Sequence, residues 1–182
     1  MTCIVGITDG HRTVIGGDSA GSSPDNPEIH TTDVSKVFAT GEYLVGYCGS
    51  YRAGQLARWD MDWPEPPEPG ADLECFFTRV VVKALRQAMQ DAEPGFTQAL
   101  PRTAQFMIGL RGHLFSIGQD YSAVKLKDPW LAIGSGRQAA YGALHVLGGL
   151  DLDLEEKVRR ALVATQECTA NVREPFQLVS VG

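Results

Sequence analysis

Thr2 is the residue with the most chemical reach in this chain. The N-terminus reads Met1-Thr2-Cys3-Ile4-Val5-Gly6-Ile7, and methionine aminopeptidase removes an initiator Met when a small residue follows. Thr2 would then carry a hydroxyl nucleophile together with a free α-amine that titrates at about pH 8. Such an amine can accept the proton of its own hydroxyl, which overcomes the weakness of an alcohol as a nucleophile at neutral pH. The other reactive side chains point nowhere else. His11, His30, His113 and His145 are scattered without metal-ligand spacing, and Cys3, Cys48, Cys75 and Cys168 form no Cys-x-x-Cys pair. Three of these cysteines sit in apolar segments, so all four read as reduced packing residues of a cytoplasmic protein. No metal and no cofactor is expected.

Length and charge narrow the class. At 182 residues the chain suits one domain, 1–182, with a sizeable core and no shift of composition to mark a boundary. A net charge of −6 disfavours nucleic acid, whose phosphates call for clustered Lys and Arg. No apolar run approaches the roughly 20 residues that span a bilayer. The first residues also lack the basic and apolar regions of a signal peptide.

Residues 3–8 and 13–17 are β-branched and apolar around an Asp9-Gly10 turn, which predicts a hairpin. Residues 21–33 are polar and rich in turn formers, so they read as a loop. A second hairpin is expected from 36–40 and 43–48, followed by a short helix through Leu56 to Trp59. The segment 60–70, DMDWPEPPEPG, holds four prolines and reads as a surface connector. Apolar spacing of 3 and 4 predicts a long helix over 71–91 with Leu73, Phe76, Phe77, Val80, Val81, Ala84, Leu85 and Ala88 on its buried face. Strands are expected over 103–110, 113–117 and 123–126, and residues 130–136 then lead into a small-residue helix over 138–147. Another helix starts near Asp153 with a capping-box pattern, carrying Glu155–Arg159 and Glu156–Arg160 as i,i+4 pairs. Residues 176–181 close the chain as a strand. Strand groups separated by helix pairs indicate an α+β class with segregated layers.

Several blocks, in order, resemble the proteasome-type N-terminal threonine hydrolases, HslV and bacterial β-type subunits in particular. Thr2-Cys3-Ile4-Val5-Gly6 resembles the family's start, and Gly17-Asp18-Ser19 its aspartate turn. Ser35-Lys36-Val37 resembles the lysine strand, and Gly46-Tyr47-Cys48-Gly49-Ser50 the glycine turn. Ile133-Gly134-Ser135-Gly136 with Ala140-Tyr141-Gly142 resembles the second serine block.

The resemblance implies a four-layer αββα sandwich, the N-terminal-nucleophile hydrolase fold, and a threonine peptidase freed by removal of Met1. Thr2 would supply the attacking Oγ and the accepting amine. Lys36 would lower the hydroxyl's pKa, and Asp18 would hold Lys36 in place. The N–H of Gly49 would stabilise the oxyanion, and Ser135 would orient the α-amine or a water. Ser22 would hydrogen-bond the substrate backbone, while Tyr47 would face the pocket for the residue before the scissile bond and favour medium-sized apolar side chains. The chain departs from the family at Arg52-Ala53, where Ala-Asp is common. It departs again at residues 165–171, where Glu167 or Asn171 would replace a buttressing carboxylate, or backbone carbonyls would hold a monovalent cation. Polypeptides hydrolysed inside stacked homo-oligomeric rings, fed by an ATP-dependent unfoldase, are the partners implied. Two other readings share these features: a small-molecule amidase of the same fold, and an inactive ring or assembly protein that keeps Met1.

Overall fold

The computed structural model of the chain describes residues 2–23, 26–92 and 104–182, with no side chain described between 22 and 28. The strands are β1 (Cys3–Thr8), β2 (Thr13–Gly17), β3 (Ala20–Ser23), β4 (Asn26–Thr31), β5 (Val37–Thr40), β6 (Tyr43–Cys48), β7 (Gln105–Leu110), β8 (His113–Ile117), β9 (Ala123–Lys125), β10 (Trp130–Gly134) and β11 (Gln177–Val181). The helices are α1 (Tyr51–Trp59), α2 (Leu73–Phe76), α3 (Val82–Ala92), α4 (Arg137–Gly148) and α5 (Leu154–Cys168), with a π-helical segment, Phe77–Val81, joining α2 to α3.

Both expected hairpins form. β1 pairs with β2 from Ile4↔Gly17 to Thr8↔Thr13, and β5 pairs with β6 from Val37↔Gly46 to Thr40↔Tyr43. Chain ends far apart in sequence complete the first sheet, in the order β10-β1-β2-β11, and the second runs β5-β6-β7-β8-β9. All these pairings are antiparallel.

Burial divides into three clusters. Ile4, Ile15, Val37, Leu44, Met107, Leu114 and Ile133 bring residues of both sheets into one core. Val45, Tyr47, Leu56, Phe77, Leu85, Met89 and Phe115 join the other face of the second sheet to α1, the π segment and α3. Val5, Ile7, Val14, Ala140, Leu144, Val158 and Leu162 join the first sheet to α4 and α5. Strands β1 and β6 are buried at every residue, because each lies inside its sheet with apolar side chains to both faces.

Three expectations are corrected. The polar stretch 21–33 is no plain loop: β3 and β4 pair in a two-stranded sheet, Ala20↔Thr31 and Gly21↔His30. That pairing uses backbone groups, so it leaves no apolar alternation in the sequence. The long helix, expected from about residue 71, starts at Leu73 after its Asp72 cap, and the π segment adds a residue to one turn and shifts the buried face. Phe77, Val81, Leu85 and Met89 are buried, whereas Val80 is 40% exposed. Finally, Glu156 does pair with Arg160 at 2.6 Å, but Glu155 reaches Arg12 on β2's leading turn at 2.5 Å rather than pairing as expected with Arg159. The start of the strand expected at Thr103 lies outside the described residues.

The proline-rich connector has no regular structure but is pinned along its length. Trp63 Nε1 donates to Ala57 O at 2.8 Å, Tyr43 Oη donates to Pro64 O at 2.9 Å, and Arg111 donates to Pro67 O. Among the described residues no helix is long and apolar enough to cross a membrane.

Candidate active site

Asp18 sits just past β2, the strand that runs beside β1, so its carboxylate faces the start of the chain. Oδ1 accepts from the backbone N–H of Cys3 at 2.9 Å and from Lys36 Nζ at 3.0 Å, and Oδ2 accepts from the N–H of Ala20 at 3.0 Å. Lys36, just ahead of β5, also donates to Ala20 O at 2.6 Å. Both side chains are buried, 2% exposed for Lys36 and 0% for Asp18. A buried charge pair is tolerable only when its remaining hydrogen-bonding capacity is met, and here backbone groups on three sides meet it. Burial lowers the Lys36 ammonium below its ordinary range, and the Asp18 charge opposes that shift.

Thr2 is itself buried, 5% exposed. Its N–H donates to Ser135 Oγ at 3.2 Å, while its carbonyl accepts from Gly136 N at 3.2 Å. Ser135 Oγ also lies 3.4 Å from Thr2 O as a donor. This contact depends on Gly134, whose φ of +92° suits glycine and where a Cβ would stand 2.3 Å from Thr2 O. Residue 2 is therefore clasped between the turn after β10 and the Asp18 turn, which grips its neighbour Cys3.

Gly49 ends β6 with φ +87°, and Ser50 caps α1 by accepting from Ala53 N at 3.1 Å. Cys48 couples this corner to the others, since its thiol feels the charges of Lys36 and Arg137, the latter two residues past Ser135. Burial pushes the Cys3 thiol up to about 12, with the Asp18 charge adding to it, and burial pushes the Cys48 thiol up to about 11. Both stay protonated at neutral pH and compete poorly as nucleophiles. Of the cysteines read as packing residues, these two are buried, whereas Cys75 and Cys168 are exposed.

The structure brings Thr2 against Ser135, and Asp18 against Lys36 and the N–H of Cys3, so the two hydrogen-bonded groups are joined through the Thr2–Cys3 backbone. Tyr47 lies 3% exposed in the core beneath α1, its Oη donating to Ser35 O at 3.2 Å. Its ring fills the space a Cβ on Gly54 would occupy, 2.2 Å away. The side chain of Ser22 and all of Met1 lie outside the described residues. Glu167 is exposed on the last turn of α5, and Asn171 is half-buried beyond it. Sequence reasoning missed Thr165, buried on α5 and hydrogen-bonded to the Cys3 thiol. Its only signal was an inward position four residues after Ala161, to whose carbonyl it donates at 2.7 Å.

No protein-family model matches the chain, and no curated protein matches it. Solved structures do. Thiobacillus denitrificans BPH in complex with epoxomicin superposes with a TM-score of 0.78 at 18% identity, covering 99% of this chain and 98% of that one. Eukaryotic HslV from Trypanosoma brucei gives 0.69 at 16% identity, over 98% of both chains. A subunit of the helical assembly of the Anbu complex from Pseudomonas aeruginosa gives 0.64 at 21% identity, over 100% of this chain and 81% of that one. At such identities the likeness shows the fold alone: the α+β fold that these proteins share.

Proposed function

We propose that the chain is a threonine peptidase whose nucleophile is Thr2 after loss of Met1. The observation that carries this reading is the buried Lys36–Asp18 pair, tied to the backbone of Cys3 beside a clasped Thr2. A lysine buried at the second strand pair and a carboxylate aimed at residue 3 have little structural use that an apolar pair would not serve as well. In the proposed reaction the neutral Thr2 amine takes the Oγ proton as Oγ bonds to the substrate carbonyl carbon. The N–H of Gly49 meets the oxyanion, a contribution of about 3 kcal/mol in comparable enzymes. The C–N bond then breaks, the leaving amine takes the proton held by the Thr2 amine, and water releases the acyl group from Oγ. Lys36 supplies positive potential near the hydroxyl, Asp18 fixes Lys36, and Ser135 orients the amine.

The same reading takes 1–182 as one domain. The three cores support a four-layer αββα arrangement of helices, sheet, sheet and helices. It also takes the working form as a self-assembled, stacked-ring homo-oligomer in the cytoplasm, acting on polypeptides delivered by an ATP-dependent unfoldase. Ser22 holds the substrate backbone, and Tyr47 lies under the pocket for the residue before the scissile bond.

Because the similar Thiobacillus denitrificans protein is seen with epoxomicin, that compound is a direct probe. Incubation with the Met1-free chain is expected to raise its intact mass by one epoxomicin, and Thr2→Ala is expected to stay unmodified. Equal modification of the Thr2→Ala chain would place the reactive group elsewhere and defeat the proposal.

A further inference from the structure

Arg137 is the first residue of α4 and lies two residues past Ser135, at the turn that clasps Thr2. An arginine there does nothing for the helix. The N-terminal end of a helix repels positive charge, and the first turn of α4 has neither an acidic residue nor a side-chain cap to offset it. α5 follows the usual rule, with its Asp153 cap and with Glu155 and Glu156 in its first turn. The Arg137 guanidinium is nevertheless fixed in place. Its Nη1 donates to Gly134 O at 3.1 Å, and Gly134 is the position where a Cβ would stand 2.3 Å from Thr2 O. Among the described residues no carboxylate pairs with Arg137, which is exposed. Its charge reaches the Cys48 thiol beside Gly49, so the cation lies within electrostatic reach of both corners of the site.

We propose that Arg137 is a specificity-determining residue that receives a carboxylate of the substrate on the leaving-group side of the scissile bond. This rests on the peptidase reading of Thr2. The side follows from the order of strands, since β2 and β10 flank β1 in the sheet β10-β1-β2-β11. Under the peptidase reading the acyl part of the substrate lies along Ser22, on the strand after β2, and over Tyr47 on β6. Arg137 follows β10, on the opposite side of β1, where the departing amine and the residues attached to it pass. A guanidinium carries five N–H donors in a fork that matches a carboxylate, and Gly134 O takes one of them. Lys36 does not compete for the same group, because it is buried and paired with Asp18. A chain of net charge −6 repels acidic peptides at long range, so a cation at this turn decides which carboxylate-bearing segments are held. The pair forms at an exposed position, which keeps its effect severalfold rather than thousandfold.

Quenched fluorogenic peptides that differ only after the scissile bond test this: Glu with an amidated end, Gln with an amidated end, and Gln with a free C-terminal carboxylate. The Met1-free chain is expected to favour the Glu peptide over its amidated Gln partner by about fivefold in kcat/KM, mainly through KM, and added NaCl is expected to shrink that ratio. R137Q is expected to bring the ratio to about one, and R137K to keep part of it, since lysine keeps the charge and loses the fork. A preference for the free-acid Gln peptide instead, also lost in R137Q, supports the proposal with the chain-terminal carboxylate as the ligand. Equal rates for all three peptides in the parent, or a preference that survives R137Q, overturn it. Binding of the same peptides to the T2A and T2A/R137Q chains by fluorescence anisotropy separates this idea from the one it rests on. If the parent cleaves none of them, tighter binding of a carboxylate peptide to T2A that R137Q removes sinks the peptidase reading and keeps the carboxylate site. Equal or no binding in that case sinks the site as well.

Discussion

Lys36 holds a full charge in a place where burial alone would favour the neutral amine, and its stability effects follow from that conflict. Its folded pKa lies below the ordinary 10.5 because burial outweighs Asp18. The stability this group contributes is therefore complete above pH 10.5 and is lost as pH falls through the folded value. Lys36→Met removes that slope and leaves Asp18 buried without its counter-ion. It is expected to destabilise the chain by about 3–5 kcal/mol at neutral pH and to abolish most peptide hydrolysis. Urea denaturation of both chains at several pH values checks the first effect, and a Lys36→Met chain as stable and active as the parent would make the lysine a bystander. The contacts of Thr2 with Ser135 and of Asp18 with Lys36 were legible in the sequence, since an ordered set of short blocks preserves residue type and spacing. Thr165 was not, because its contact with the Cys3 thiol is fixed by how α5 packs on β1, and neither residue type nor period announces it.

Phe77 and Val80 look equivalent at the scale of one helix, three residues apart on a face that apolar spacing marks as buried. The π segment separates them. Phe77 stacks on Phe115 with ring centroids 3.6 Å apart, whereas Val80 turns toward solvent. Phe77→Ala is expected to cost about 3–5 kcal/mol, and Val80→Ala to stay within about 0.5 kcal/mol. Comparable losses in denaturant midpoint for the two would mean the helix is regular and the turn misplaced. Most other elements were legible because their periodicity is strong. β1, β2, β5, β6 and β8 are short, apolar runs bounded by Gly turns, and α5 begins at its Asp153 cap, which accepts from Glu155 N at 3.0 Å. The β3–β4 pair escaped notice for the opposite reason: a polar hairpin is held by backbone bonds and carries no side-chain period.

At the scale of the whole molecule, the sequence told of segregated strand and helix groups but not of how they stack. Which face of a sheet meets which layer is decided by long-range packing. The core between the sheets draws on both ends of the chain, with Ile4 and Ile133 meeting Leu44 and Met107. Outward, α4 leaves Val146 66% exposed and the turn after it leaves Leu150 45% exposed, an apolar edge that a copy of the chain would cover in the proposed assembly. Size-exclusion chromatography with light scattering is expected to give a large multiple of 19.7 kDa, and Val146→Glu to shift it toward smaller species. A monomer at micromolar concentrations would remove the compartment from the account.

The central claim is that Thr2 is the nucleophile, and the most direct measurement compares peptide hydrolysis by the Met1-free chain and by its Thr2→Ala variant, with the oligomer confirmed equal in both. The account predicts a loss of at least about a thousandfold in kcat with assembly unchanged. Turnover by Thr2→Ala within about tenfold of the parent would contradict it and assign the chemistry to another group.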